Sequence, residues 1–250
     1  MKIGLLLVLS TMGAPSAWAQ KAPGTPSPAA SVAAEADRLF VQRGDPAKLH
    51  AAMRLWETQL EADPKAYDAA WHLAHAHYFE GGHEAERGKR MELYLQGVRF
   101  AERAAALRPD RPEGHFWLAV LNGVYARDKG VFKSLTMIRP IRQGFERAFK
   151  IDPSYERGGP DRALGRFYFE LPGILGGSKQ TSLDHLQASL KYAPQNTLTL
   201  LYLGETLAGM GRKDEARKAY QSVLDAPVDP LWATEDGDNM AAAGKALGKR

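Results

Sequence analysis

The chain has 250 residues, 44% of them hydrophobic and 25% charged, with a formal net charge of +4 and no cysteine. Such a length suits one extended domain, and the missing cysteine excludes both a disulfide framework and a cysteine-linked lipid anchor. At a pI of about 9.2 the positive charge is mild and too dispersed to argue for nucleic acid.

In chain order, Met1-Lys2, the apolar run Ile3 to Leu9 and Ala17-Trp18-Ala19 come first. They have the charged start, short hydrophobic core and small-residue cleavage site of a secretory signal over residues 1–19. The run is far shorter than the roughly 20 residues a membrane-spanning helix needs, and no later segment qualifies. An exported, soluble mature chain is the expectation. Residues 20–31, rich in Pro, Ala, Ser and Gly, bury too little apolar surface to order themselves and read as a flexible tether.

From there caps and apolar periodicity predict helices over 32–43, 46–62, 66–80, 84–108, 111–127, 130–151, 160–171, 178–193, 196–210, 213–226 and 237–248. Pro46 and Pro112 suit first-turn positions. Asp45, Ser178 and Asn196 suit N-caps, because a side-chain oxygen there accepts from the unpaired amides of the first turn.

The pairing of these helices is written in their closing prolines. Pro64, Pro109, Pro153, Pro194 and Pro227 each follow an apolar helix end. They stand about 41–45 residues apart at first and about 33 at the last interval, against a tetratricopeptide (TPR) period of roughly 34. Residues 197–230 resemble the TPR hairpin closely: Leu203-Gly204 in the first helix, Gly211 at its end, then Ala216, Tyr220 and Pro227. Gly204 and Ala216 let two helix backbones approach, while Leu203, Leu207, Tyr220 and Val223 fill the seam. Counting from each proline, Leu73-Ala74 and Leu118-Ala119 keep the phase of Leu203-Gly204, and Leu164-Gly165 comes two residues late. The expected fold over 32–250 is an all-α solenoid of about five degenerate TPR-like hairpins plus a C-terminal capping helix.

Candidate sites follow from that register. With Leu73 buried, Asp68, Trp71, His75, Tyr78 and Phe79 share the face that lines the concave groove of TPR arrays, and Glu113, Phe116, Val120, Gly123 and Val124 continue it in the next hairpin. Such a face is either a ligand or partner groove or simply core. Asp68, His72 and His75 share a helix face as zinc ligands can, but three groups on one short helix lack the ligand from another element that convergence requires, so no metal is expected. Pro172 to Lys179 misses the phosphate-loop spacing and reads as a tight turn capped by Ser178. His83-Glu84-Ala85-Glu86-Arg87 has Arg87 where a zincin needs its second histidine. With no G-x-S-x-G elbow and no cysteine nucleophile, a non-enzymatic chain without cofactor is expected. Arg127, Lys129, Lys133, Arg139 and Arg142 read as a solvated basic face, with an acidic partner as the alternative.

From Tyr67 onward the order of features is similar to a known family. An aromatic, His-rich helix, a long helix ending Ala106-Leu107-Arg108-Pro109, then Gly158-Gly159-Pro160, Leu164-Gly165-Arg166-Phe167-Tyr168, Pro172 and Gly176-Gly177 resemble the T-component of TPR-associated TRAP transporters. The resemblance implies a periplasmic protein that partners the solute-binding protein of a TRAP transporter, forms trimers and encloses a channel for apolar or amphipathic ligands. Members are lipoproteins, and the absence of cysteine departs from that pattern. A similar helix layout occurs in regulator-of-microtubule-dynamics-like TPR proteins, although an export signal argues against a cytoskeletal role. The competing functional reading is a cell-envelope scaffold that docks peptide segments without small-molecule cargo.

Overall fold

The computed structural model describes residues 28–130 and 134–248. The signal region 1–19 and tether residues 20–27 lie outside the described residues, as does Lys133. Among the described residues there are eleven α-helices and no strand: α1 (Pro28–Val41), α2 (Pro46–Ala62), α3 (Tyr67–His83), α4 (Arg87–Leu107), α5 (Pro112–Lys129), α6 (Leu135–Ile151), α7 (Tyr155–Glu170), α8 (Lys179–Ser189), α9 (Thr197–Gly209), α10 (Lys213–Asp225) and α11 (Ala233–Ala246). Successive helices pack as five antiparallel hairpins, α1/α2 through α9/α10, with α11 against α9 and α10. The inner helices α3, α5, α7, α9 and α11 also touch one another in series, which is what stacks hairpins into a solenoid.

The helix starts have local causes. Asp45 accepts from the Ala47 amide at 2.8 Å with Pro46 in the first turn, Ser178 accepts from the Thr181 amide at 3.1 Å, and Asn196 accepts from the Thr199 amide at 2.9 Å. Each satisfies a donor that the helix itself leaves unpaired. Several boundaries differ from the expectation by a few residues. Helix α1 begins at Pro28, inside the segment read as tether, and α11 begins at Ala233, where Glu235 and Asp236 supply first-turn acids. The expected helix over 130–151 starts only at Leu135, because Gly130 caps α5 with a φ of 98° that no helix continues through.

The phase slip before Leu164 also has a physical reason. Glu156, Arg157 and Gly158 adopt left-handed dihedrals (φ 49°, 58° and 79°), a compact turn that takes up residues before the regular part of α7. Leu164 and Gly165 are nonetheless buried, and a Cβ on Gly165 would lie 2.7 Å from Leu186 Cγ, so the small position does its packing task between α7 and α8. In the last hairpin a Cβ on Gly204 would lie 2.4 Å from the Tyr220 ring, which rests directly on the α9 backbone.

The core is a chain of three clusters rather than one ball. Trp56 and Leu73 anchor the first; Tyr94, Phe116, Trp117 and Phe145 the second; Leu183, Leu201, Tyr220 and Val223 the third. Helix α3 supplies both of the first two, since Leu73 and Ala74 face opposite clusters.

The array closes on itself. Arg43, in the α1–α2 corner and 4% exposed, donates Nε and Nη2 to the Glu235 carboxylate at 2.7 Å each and Nη2 to the Leu231 carbonyl at 2.9 Å. Its guanidinium also lies over Phe40 and Trp232, 4.9 and 5.0 Å from the ring centroids. His83 reaches Asp238 at 3.2 Å. Contacts between residues 192 apart in sequence thus fasten the first corner to α11 and the loop before it.

Candidate functional site

The concave face holds a half-open cavity of about 630 Å³, within the range of small-molecule pockets. Its walls are α3, α5, α6, α7 and α9, with Trp232 and the start of α11 across it. Of the residues placed on the groove by sequence, His75, Tyr78, Phe79, Phe116 and Val120 line it, together with Gly123 and Val124. Phe79 and Phe116 are at most 5% exposed and serve as both packing and wall.

Asp68, Trp71 and Glu113 are not part of that wall. They sit nearer the N-terminal ends of α3 and α5. Asp68 is exposed and accepts from Trp71 Nε1 at 3.1 Å. Glu113 is buried but engaged, taking Tyr67 Oη at 2.8 Å and an ion pair from Arg111, which together outweigh burial and hold its carboxyl below the usual range. These are structural contacts at the hairpin ends.

The histidines of α3 diverge. His72 is stacked between Trp56 and Trp71, at 4.7 and 3.5 Å, with Nδ1 2.8 Å from the Asp68 carbonyl. His75 lies flat under Trp117 at 3.9 Å, facing the cavity. Burial, then Arg43 and His72, hold its pKa well below the ordinary histidine value, so the ring is neutral at neutral pH. Their rings belong to separate stacks. At Pro172–Ser178 a short 3₁₀ turn and a left-handed Gly176 lead into the Ser178 cap, as the spacing implied. Arg127, read as part of a solvated basic face, instead lines the cavity.

The structure adds polar wall residues that the sequence reading did not place on the groove. Arg162 and Arg166 of α7 and Tyr202 of α9 line the cavity, beside the strained Glu156 and Arg157. Arg162 Nη1 donates to the Glu156 carbonyl at 3.2 Å, and Arg157 is ion-paired to Asp229. Arg166 pairs with Glu170 at 2.7 Å and with Glu205, and its guanidinium lies 4.5 Å from the Tyr202 ring, yet its buried Nε has no partner. Burial lowers the Arg162 pKa and raises those of Tyr78, Tyr202 and Glu156. A signal for these residues existed. The register that set Trp71 and His75 around Leu73, applied around Leu164, falls on Arg162 and Arg166. Trp232 sits outside any helix and had no such signal.

Chemically the cavity offers aromatic and aliphatic walls along α3, α5 and α6 and a charged, tyrosine-bearing wall along α7 and α9.

Solved structures share the fold. A thermophilic TPR protein of Thermus thermophilus superposes with a TM-score of 0.64 at 20% identity, over 86% of this chain and 98% of its own. Yeast Tom70 matches with a TM-score of 0.53 at 14% identity, over 87% of this chain and 40% of its own. PilF of Pseudomonas aeruginosa matches at 0.51 and 18% identity, over 86% and 91%. No curated protein sequence matches the chain. At these identities the likeness establishes the TPR-like solenoid and nothing finer. None of the matches speaks for the TRAP T-component family specifically. The family model described as regulator of microtubule dynamics protein 1-3 matches residues 32–174, more than half the chain, and to that family this protein belongs.

Proposed function

We propose that the protein is a non-enzymatic carrier or receptor whose closed TPR-like array holds a small molecule with a substantial apolar body. The observation that carries this reading is the cavity of about 630 Å³ bounded by His75, Tyr78, Phe79, Phe116 and Val120 and roofed by Trp232. An extended peptide lying along the inner helices, as an open TPR groove would accept, meets the Arg43–Glu235 closure and the loop before α11. The signal-like pattern of Met1 to Ala19 supports export to the periplasm as a soluble chain. Together with the Gly158 to Gly177 series it motivates the finer reading, a T-component-like accessory that passes its ligand to the solute-binding protein of a TRAP transporter, as a trimer. The family's name speaks of microtubule dynamics; the export pattern favours a different compartment for this chain.

Titration with a neutral apolar fluorophore, 1-aminoanthracene, tests the cavity reading. Saturable binding by the wild type, reduced at least tenfold in Val120→Trp, is expected, because an indole at that wall fills the space without removing a buried side chain. Equal binding by both proteins, with helicity by circular dichroism unchanged, would refute it and favour a docking scaffold.

A further inference from the structure

The cavity lining combines apolar side chains with arginines, and that mixture bears on what it can hold. Along α6 the wall is Ile138, Ile141 and Phe145. Arg127, near the C-terminal end of α5, and Arg162, on α7, also line the cavity, and neither has a carboxylate within ion-pair distance among the described residues. The acids of the wall are mostly engaged elsewhere: Glu170 with Arg166, Glu235 with Arg43, Asp238 with His83, and Asp236 with the Thr197 hydroxyl and the Asp229 amide. Glu156 is the exception, and its raised pKa weakens its claim on the nearby guanidiniums.

Hydrogen-bonding capacity points the same way. The hydroxyls of Tyr78 and Tyr202 have no hydrogen-bond partner among the described residues, and Arg166 Nε is buried without one. Tyr78 and Tyr202 lie within electrostatic reach of each other and of Arg127 and Arg162. The two phenols open into the cavity and so remain available to a bound ligand, while the buried Arg166 Nε alone carries the cost of an unmade hydrogen bond. Oxygen atoms of an acid would supply acceptors, and an arginine beside two phenols is a strong receptor for them.

Building on the cavity reading, we infer that the ligand is an amphipathic monoacid. Its carboxylate meets Arg162 and the Tyr78 and Tyr202 hydroxyls, and its apolar tail lies along α5 and α6. A single negative charge fits better than a phosphate dianion, because a second charge would meet the Glu156 carboxyl, which lies within electrostatic reach of the same guanidinium. The volume admits one hydrocarbon chain of moderate length.

The test is calorimetric titration of the full chain with dodecanoate, dodecanol and dodecyl phosphate, in wild type, Arg162→Gln, Arg162→Lys and Tyr202→Phe. The expected result is dodecanoate binding at least tenfold tighter than dodecanol and tighter than dodecyl phosphate. Arg162→Gln should lose at least tenfold for dodecanoate with dodecanol unchanged, Arg162→Lys should recover part of it, and Tyr202→Phe should lose severalfold. Dodecanol binding as tightly as dodecanoate would overturn the acid assignment while leaving the cavity reading intact. Tighter dodecyl phosphate binding would overturn the monoanion choice. Loss of all three probes equally in Arg162→Gln, or of none, would remove Arg162 from the site. If no probe binds the wild type but 1-aminoanthracene does, the amphiphile falls alone; if neither binds, the cavity reading falls with it.

Discussion

His75 and His77 stand two residues apart on α3 and meet different surroundings. His75 is held toward the cavity under Trp117, while His77 stacks on Phe100 at 5.5 Å with its Nδ1 buried and without a partner. The Glu80 carboxylate, 3.9 Å from that nitrogen, is too far to accept a hydrogen bond. Burial depresses the His77 pKa to about 4. Unfolded, the ring takes a proton below about 6.5, so the stability its neutral form contributes is complete above that pH and is lost as pH falls toward 4. The loss from this one group is on the order of 2–3 kcal/mol. Urea unfolding at pH 7 and pH 4.5 should show it, and His77→Leu should flatten the difference; an unchanged pH dependence would show that the ring charges freely. Trp71 and His75 were both legible as aromatic neighbours at groove positions of one register, yet only His75 reaches the cavity. Which of the two it would be depends on where the facing helix ends, and no property of α3 alone encodes that.

At the scale of elements most of the fold was legible, because each signal is local. Asp45, Ser178 and Asn196 cap where their oxygens can reach a free amide, and the closing prolines end hairpins regardless of what packs on them. Gly204 was legible for a similar reason: the Tyr220 ring on the partner helix of its own hairpin needs a place to rest. Gly204→Val should cost about 1–3 kcal/mol in chemical unfolding, since its Cβ enters the Tyr220 ring, and Tyr220→Leu in that background should restore part of it. The turn at Glu156 and Arg157 was not legible. Two non-glycine residues in left-handed conformation oppose local preference and persist because Arg162 and Asp229 hold them. Glu156→Gly should therefore raise stability by about 1–2 kcal/mol, as it relieves the dihedral and removes a buried carboxyl; a destabilised variant would mean that the turn is not strained.

For the whole molecule the decisive feature is closure, and it lies beyond any sequence window. Arg43 gives no hint from its own neighbours that Glu235 and Trp232 await it, and α11 reads from sequence only as a cap. The ion pair is partly buried, with side-chain exposures of 3% and 24%, so removing one partner leaves an uncompensated charge and costs a few kcal/mol at most. Arg43→Met should speed amide exchange in α11 and enlarge the radius of gyration in solution scattering, while α3–α8 keep their protection. Equal protection of α11 in both proteins would show that the closure rests on other contacts.

We read this repeat array, ordinarily an open surface for partners, as a container. Native mass spectrometry of the chain purified from the cells that make it tests this most directly. The account predicts a mass exceeding that of the polypeptide by one small molecule, which is absent from Val120→Trp. A bare polypeptide in both, with a protein partner retained equally by both, would contradict it.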